Sequence, residues 1–227
     1  MTDLSTRTAT QADLDAYLAL QRHCWGDLAT PEDQARSRFD LHLDGILLAE
    51  EAGHAVGAVT LVRLAEYDEH APKSWSETTG DGWGTTHVPD GPVVFGVDLS
   101  VRRPSVGRPL LAAAARFAAT EGATALVWGG RMPGYASYHA ANPDVDADKY
   151  LWMTTPAGRH LDWQVRRCAE AVPGVEVLRA IPNYAHDPES LDHGVLLRIR
   201  VAASRPGPVA HPIGPSPARS RGASLGS

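Results

Sequence analysis

The chain has 227 residues, enough for one domain with an appendage or for two small ones, and its hydrophobic content of 43% is enough for a sizeable core. A net charge of −6 gives no general affinity for nucleic acid, and two cysteines, Cys24 and Cys168, are too few for a disulfide framework and lack metal-ligand spacing. The sequence carries neither a signal-peptide pattern nor an apolar run long enough to span a bilayer, so the expectation is a soluble cytoplasmic protein with no membrane contact.

In chain order, Thr6–Thr8 is a short first strand. Thr10-Gln11-Ala12-Asp13 approximates a capping box, and Leu14, Tyr17, Leu18 and Leu20 carry a helical apolar face to about Cys24. Thr30-Pro31-Glu32-Asp33 starts a second helix that runs to about Leu43: a cap residue, a proline at the first position, then acids. Ile46–Glu50 and Ala55–Arg63 read as a hairpin. Leu64–Gly91 is long, polar and contains Trp75 and Trp83, which argue for order; it reads as a lid or acceptor-site wall.

The stretch from Val93 to Gly130 organises the rest. A strand (Val93–Val101) enters a turn (Arg102–Gly107), followed by an alanine-rich helix (about Arg108–Glu121) and a second strand (Thr124–Trp128). Phe95, Val97, Leu99 and Val101 are expected on one face of the first strand, with Gly96, Asp98 and Ser100 on the other. The helix start suits an anion, because its first N–H groups have no intrahelical partner. Beyond it lie a glycine-rich exit with Arg131 and Tyr135, an acidic loop (Asn142–Lys149), a helix (Arg159–Ala171) and final strands Val175–Ile181 and Gly194–Val201. The segment 203–227 is rich in Pro, Ser, Gly and Ala with no acid. It reads as a disordered basic tail after a single domain of residues 1–202.

Several motifs carry a resemblance. Arg102, Ser105 and Gly107 form R-x-x-S-x-G, which resembles the coenzyme A pyrophosphate loop of the GNAT acyltransferase superfamily. Ser74–Val101, Trp128–Tyr135 (WGGRMPGY) and Ile181–Leu197 are similar to the corresponding segments of one GNAT subgroup, found alone or fused to nitrilase-like amidohydrolases. The resemblance covers about residues 4–201. It implies an α/β (α+β) three-layer fold, with a central mixed, mostly antiparallel sheet of six to seven strands flanked by helices. It also implies acetyl-CoA or another acyl-CoA as cosubstrate, a small-molecule acceptor and no metal, in a monomer or homodimer.

The implied site follows the motifs. Acyl-CoA would lie in a splay between the fourth and fifth strands, held by Leu99, Ser100, Val101, Arg102, Arg103, Ser105, Val106, Gly107 and Arg108. An acceptor amine would lose its proton to a base. Asp98 is one candidate, directly or through water; it suits a structural carboxylate as well. His87 is another, through its near-neutral intrinsic pKa. Tyr135 matches the GNAT thiolate acid by position, and Thr79 would orient ligand or water. Trp83 and Arg131 are expected at the acceptor, with Arg131 binding a carboxylate or pairing with Asp98 or Asp144. The reading is an N-acyltransferase, in particular an N-acetyltransferase of a small amine or amino-acid-like metabolite. Two alternatives stand. One is a GNAT-like decarboxylase or S-acyltransferase working with a carrier protein, kept open by Thr79 and His87. The other is a non-catalytic acyl-CoA-binding module, favoured by Pro104 and Ser105 in the loop.

Overall fold

The computed structural model describes residues 4–201; the expected tail at 203–227 lies outside the described residues. Seven strands form one sheet in the order β1-β2-β3-β4-β5-β7-β6. They are β1 (Leu4–Thr8), β2 (Ile46–Glu51), β3 (His54–Leu64), β4 (Val93–Val101), β5 (Ala125–Arg131), β6 (Val175–Ile181) and β7 (Gly194–Arg200). Every neighbouring pair is antiparallel except β4 and β5. The helices are α1 (Leu14–Trp25), α2 (Glu32–His42), α3 (Trp75–Thr79), α4 (Pro104–Thr120), α5 (Tyr135–Ala141), α6 (Ala147–Leu151) and α7 (Trp163–Ala169). This is the expected mixed, mostly antiparallel sheet between helical layers.

Each face of the sheet is covered differently. On one, α4 buries Val106, Leu110, Ala114 and Ala118 against Val59, Leu61, Val94 and Leu126. Beside it, Val165 of α7, Tyr150 and Leu151 of α6 and Tyr135 of α5 pack on Val195 and Leu197 of β7. On the opposite face, Tyr17, Leu18 and Leu20 of α1 and Phe39 of α2 pack on Ile46, Leu48 and Ala58. There the 65–91 segment adds Tyr67 and Trp75 over Val62, Phe95, Val97 and Val127.

The lid expected at Leu64–Gly91 is ordered by specific contacts. Ser74 caps α3 and forms a capping box with Glu77. From α2, Gln34 donates to the Asp81 carbonyl at 3.2 Å and Ser37 to the Trp83 carbonyl at 3.1 Å. The Val88 amide donates to the Arg63 carbonyl at 2.8 Å, so this segment lines the edge of β3 beyond the end of β2.

Four expectations need correction. First, Pro104 opens α4, so Ser105, Val106, Gly107 and Arg108 lie inside the helix and not in a turn before it; proline at the first position costs no backbone bond. Second, β5 runs on to Arg131, held by pairing with β7. Third, α7 begins only at Trp163, capped by Asp162, because Thr154 and His160 form a β-bridge that folds the preceding residues back; the acidic loop also contains α6, capped by Asp146.

The fourth correction concerns the central strand. Thr60 pairs with Asp98 and Leu61 with Gly96, leaving Val97 as an extra residue in β4. A bulge of this kind breaks the two-residue alternation. Phe95 and Val97 therefore pack in the cluster under the lid, whereas Leu99 and Val101 pack on the α4 side. Asp98 and Ser100 turn toward α1 and α2, on the same side of the sheet as Phe95 and Val97.

Candidate active site

The pairing of β4 with β5 starts at Val93↔Ala125 and stops at Gly96↔Trp128. Beyond that point β4 continues to Val101 along β3, and β5 continues to Arg131 along β7. The two strands diverge, and the β5-facing edge of residues 97–101 has no strand partner. Leu99, Ser100 and Val101 make up this free half of β4. The Ser100 hydroxyl accepts from the Trp25 indole at 2.7 Å.

At the end of β4 the chain enters α4, the longest helix described, with 17 residues. Its N-cap is Arg103, no side chain caps it, and its first turn holds no acid. Helices α3, α6 and α7 are instead capped by Ser74, Asp146 and Asp162. A Cβ added at Gly107 would meet nothing within 4 Å. The protein itself therefore does not need glycine there, and the space beside the first turn is open. Arg102 is exposed, while Arg103 is committed to Glu51 at 2.7 and 2.9 Å and to the Ser105 hydroxyl at 3.0 Å. Arg108 donates to the Glu170 carbonyl at 3.0 Å, which ties α4 to the end of α7.

Asp98 sits directly after the bulge and is fully engaged. Arg38 donates to Oδ2 at 2.9 Å, Gln21 to Oδ1 at 2.9 Å and Tyr17 to Oδ2 at 3.3 Å. The side chains of Arg38 and Asp98 are 2% and 10% exposed. Arg38 also donates to the Gly82 carbonyl of the lid at 2.6 Å and to Thr30 at 3.2 Å. The network thus joins the central strand, α1, α2 and the lid. Burial pushes the Tyr17 phenol up to about 12, with Asp98 adding to the shift.

The other expected residues lie apart. Thr79 is fully buried, donates to the Trp75 carbonyl at 2.8 Å and accepts from the Gly82 amide at 2.9 Å, so it fixes the turn after α3. Trp83 is 37% exposed on the lid surface. His87 lies along the outer edge of β3, where its Nδ1 accepts from the Arg63 amide at 3.1 Å. Strands β3 and β4 stand between it and the splay. Burial lowers its pKa, Asp44 opposing and Arg63 reinforcing. Its ring stacks on His42, 5.3 Å away.

Tyr135 opens α5, is 3% exposed and donates to the Val145 carbonyl at 3.4 Å. Its ring packs among those of His139, Tyr150 and His193, and burial raises its pKa. Arg131 pairs with neither Asp98 nor Asp144. It forms a two-point contact with Asp187 at 2.6 and 2.7 Å and reaches Glu189 at 2.8 Å, clamping the end of β5 to the loop before β7. Burial works to raise the Asp187 pKa, but Arg131 and Ser190 outweigh it and hold the carboxyl below its ordinary value. Among the described residues, no group of three or more His, Cys, Asp or Glu is arranged to hold a metal, and no helix is long and apolar enough to cross a membrane.

Sequence reasoning missed Arg38 and underused Trp75 and Tyr184. Arg38 left a signal: it stands three residues after Ala35 and one before Phe39, within the buried stripe of α2. The roles of Trp75 and Tyr184 depend on contacts between distant segments. The Trp75 indole donates to the Val97 carbonyl at 2.9 Å, and its amide to the Tyr184 carbonyl at 2.7 Å.

No protein-family model matches the chain. Two Bacillus subtilis proteins are similar in sequence. "Uncharacterized N-acetyltransferase YkwB" is 28% identical over 207 residues, covering 86% of this chain and 87% of the relative. "Probable hydrolase YhcX" is 28% identical over 191 residues, covering 80% of this chain; the chain spans 35% of that protein's length. Two solved structures share the fold, each with a TM-score of 0.71. The loading GNATL domain of CurA from Lyngbya majuscula is 20% identical, over 87% of this chain and 98% of the domain. The GphF GNAT-like decarboxylase in complex with isobutyryl-CoA is 24% identical, over 86% of this chain and 98% of that one.

Proposed function

We propose that the chain, which shares the GNAT fold and is similar in sequence to an N-acetyltransferase, is a GNAT-superfamily acyl-CoA-dependent N-acyltransferase, in particular an N-acetyltransferase of a small amine or amino-acid-like acceptor. The observation that carries this reading is the end of β4–β5 pairing at Gly96↔Trp128, directly ahead of an uncapped helix with no acid in its first turn. A thioester lies naturally in the gap between the strands, and a pyrophosphate at the helix start. Open space at Gly107 and the exposed Arg102 fit the phosphates; Arg103, engaged by Glu51, shapes the loop. Holding thioester and amine together makes the attack effectively unimolecular. YkwB, matched over most of its length, and YhcX, matched over about a third, fit a domain that occurs alone and within a larger chain.

Thermal stabilisation by CoA, acetyl-CoA and malonyl-CoA tests the reading. At a hundredfold excess over Kd, a ligand of the folded state adds about 2.7 kcal/mol, or roughly 5–10 °C for a domain of this size. Gly107→Glu fills the open space without a packing cost and is expected to abolish the shift while leaving the unliganded Tm in place. Absence of any shift with CoA and with both thioesters would overturn the proposal.

A second reading has its own support. Asp98 spends its oxygens on Arg38, Gln21 and Tyr17, and His87 faces Arg63. Neither is poised to accept an amine proton, and a malonyl thioester needs no such base: its carboxylate leaves as carbon dioxide, the electron pair of the broken C–C bond stays as the thioester enolate, and the enolate carbon takes a proton from solvent. Conversion of malonyl-CoA to acetyl-CoA without an acceptor, read by mass spectrometry, selects this decarboxylase chemistry, in which a carrier-protein thiol is the partner. Binding with no turnover of either kind selects the non-catalytic module.

A further inference from the structure

Where β4 and β5 part, the gap is floored on the lid side by two aromatic residues from segments far apart in the chain. Val97, the extra residue of the bulge, has its carbonyl taken by the Trp75 indole at 2.9 Å. The backbone amide of Trp75 donates to the Tyr184 carbonyl at 2.7 Å. Tyr184 in turn lies flat on two glycines, Gly129 of β5 and Gly194 of β7. A Cβ at Gly129 would come within 2.0 Å of its ring and one at Gly194 within 2.6 Å. Trp75 and Tyr184 therefore bridge the diverging strands just beyond their last pair, Gly96↔Trp128.

This floor cannot swing aside easily. A Cβ at Gly82 would come within 2.6 Å of the far end of the Trp75 indole, so the ring is pinned under the lid backbone. That backbone is itself fixed by Arg38, which donates to the Gly82 carbonyl and to Asp98. Tyr184 is 8% exposed. The side chains packed around the pair include Phe95, Val97 and Val127, all apolar.

We infer that Trp75 and Tyr184 set the length of the acyl group, admitting a short uncharged chain at the head of the splay and excluding a long one. The inference rests on the acyl-CoA reading above. Its physical basis is that a pinned aromatic floor has no room to give, and each methylene that fails to fit costs roughly tenfold or more in binding.

The test is a series of acetyl-, butyryl-, hexanoyl- and octanoyl-CoA, read as Kd by calorimetry on the intact protein and its variants. Wild type is expected to bind acetyl- and butyryl-CoA and to bind octanoyl-CoA at least tenfold more weakly. Trp75→Ala is expected to gain roughly tenfold or more for hexanoyl-CoA while acetyl-CoA stays within about threefold. Trp75→Phe keeps an aromatic ring, loses the bond to Val97 and is expected to fall between; it decides the matter if the alanine variant does not fold. Tyr184→Phe is expected to keep the wild-type cut-off. Equal binding of acetyl- and octanoyl-CoA by wild type, or a folded Trp75 variant with an unchanged cut-off, overturns the size limit and leaves the acyl-CoA reading standing. No binding of any ester by wild type overturns both.

Discussion

Arg38 and Asp98 lie at the bottom of the site, and neither can lose its partner cheaply. A buried charge left alone costs about 3–5 kcal/mol, more than the intact pair contributes over an apolar replacement. Asp98→Asn and Arg38→Gln are each expected to lower unfolding free energy by that amount in urea titrations. Arg38→Met with Asp98→Leu is expected to recover much of it. A loss below about 1 kcal/mol for either single variant would mean that water reaches the pair. His42 makes a separate prediction. It is 1% exposed, neither ring nitrogen has a hydrogen-bond partner, and burial, followed by His87 and Arg38, lowers its pKa to about 4. The unfolded chain takes a proton at the ordinary value of about 6.5. Neutral His42 therefore contributes stability that is complete above pH 6.5 and is lost as pH falls through 4, up to about 3 kcal/mol. Unfolding titrations at pH 7, 5.5 and 4.5 are expected to follow this slope in wild type and a flatter one in His42→Leu.

Elements built on local pattern were readable in advance; those built on distant contacts were not. The hairpin of β2 and β3 and strands β4, β6 and β7 fall within a residue or two of expectation, because an apolar strand bounded by turn residues leaves few other choices. The start of α4 lies within R-x-x-S-x-G and not after it, because Pro104 is itself a helix-start signal. The bulge at Val97 has no mark in the sequence, since it arises from how β3 aligns with β4. It changes which residues share a face, and so Asp98 meets Arg38 while Leu99 meets α4. His87 could not be placed for the same reason: its partner, the Arg63 amide, becomes available only because β2 ends before β3 does. Glycine at 129 is likewise a tertiary requirement. Gly129→Ala forces Tyr184 off β5 and is expected to cost about 1–3 kcal/mol, the usual range for overpacking, measured as a fall in Tm. An unchanged Tm would mean that Tyr184 has an alternative seat.

Among the described residues, the sheet divides into a β1–β4 part under α1 and α2 and a β5–β7 part under α5, α6 and α7, with α4 and the lid crossing between them on opposite faces. Amide exchange gives this division a test. Acetyl-CoA is expected to slow exchange in Val97–Val101 and Gly129–Arg131 together, and to leave β1 and β2 unchanged. Protection confined to one of the two strands would contradict a ligand seated between them. The same division has a mechanical consequence. Strand pairing between the two parts is a seam of four residue pairs, Val93↔Ala125 to Gly96↔Trp128, extended at its closed end by the Thr124 amide donating to the Pro92 carbonyl at 2.8 Å. Force applied between residues 4 and 194, both at the end of the sheet where β4 and β5 have parted, loads that seam from its open end, so it tears one pair at a time, like a zip. A molecule lodged in the gap acts as mortar between the two parts. It is expected to raise the rupture force by a larger fraction than it raises the melting temperature, because heat loosens the whole fold and force only the seam.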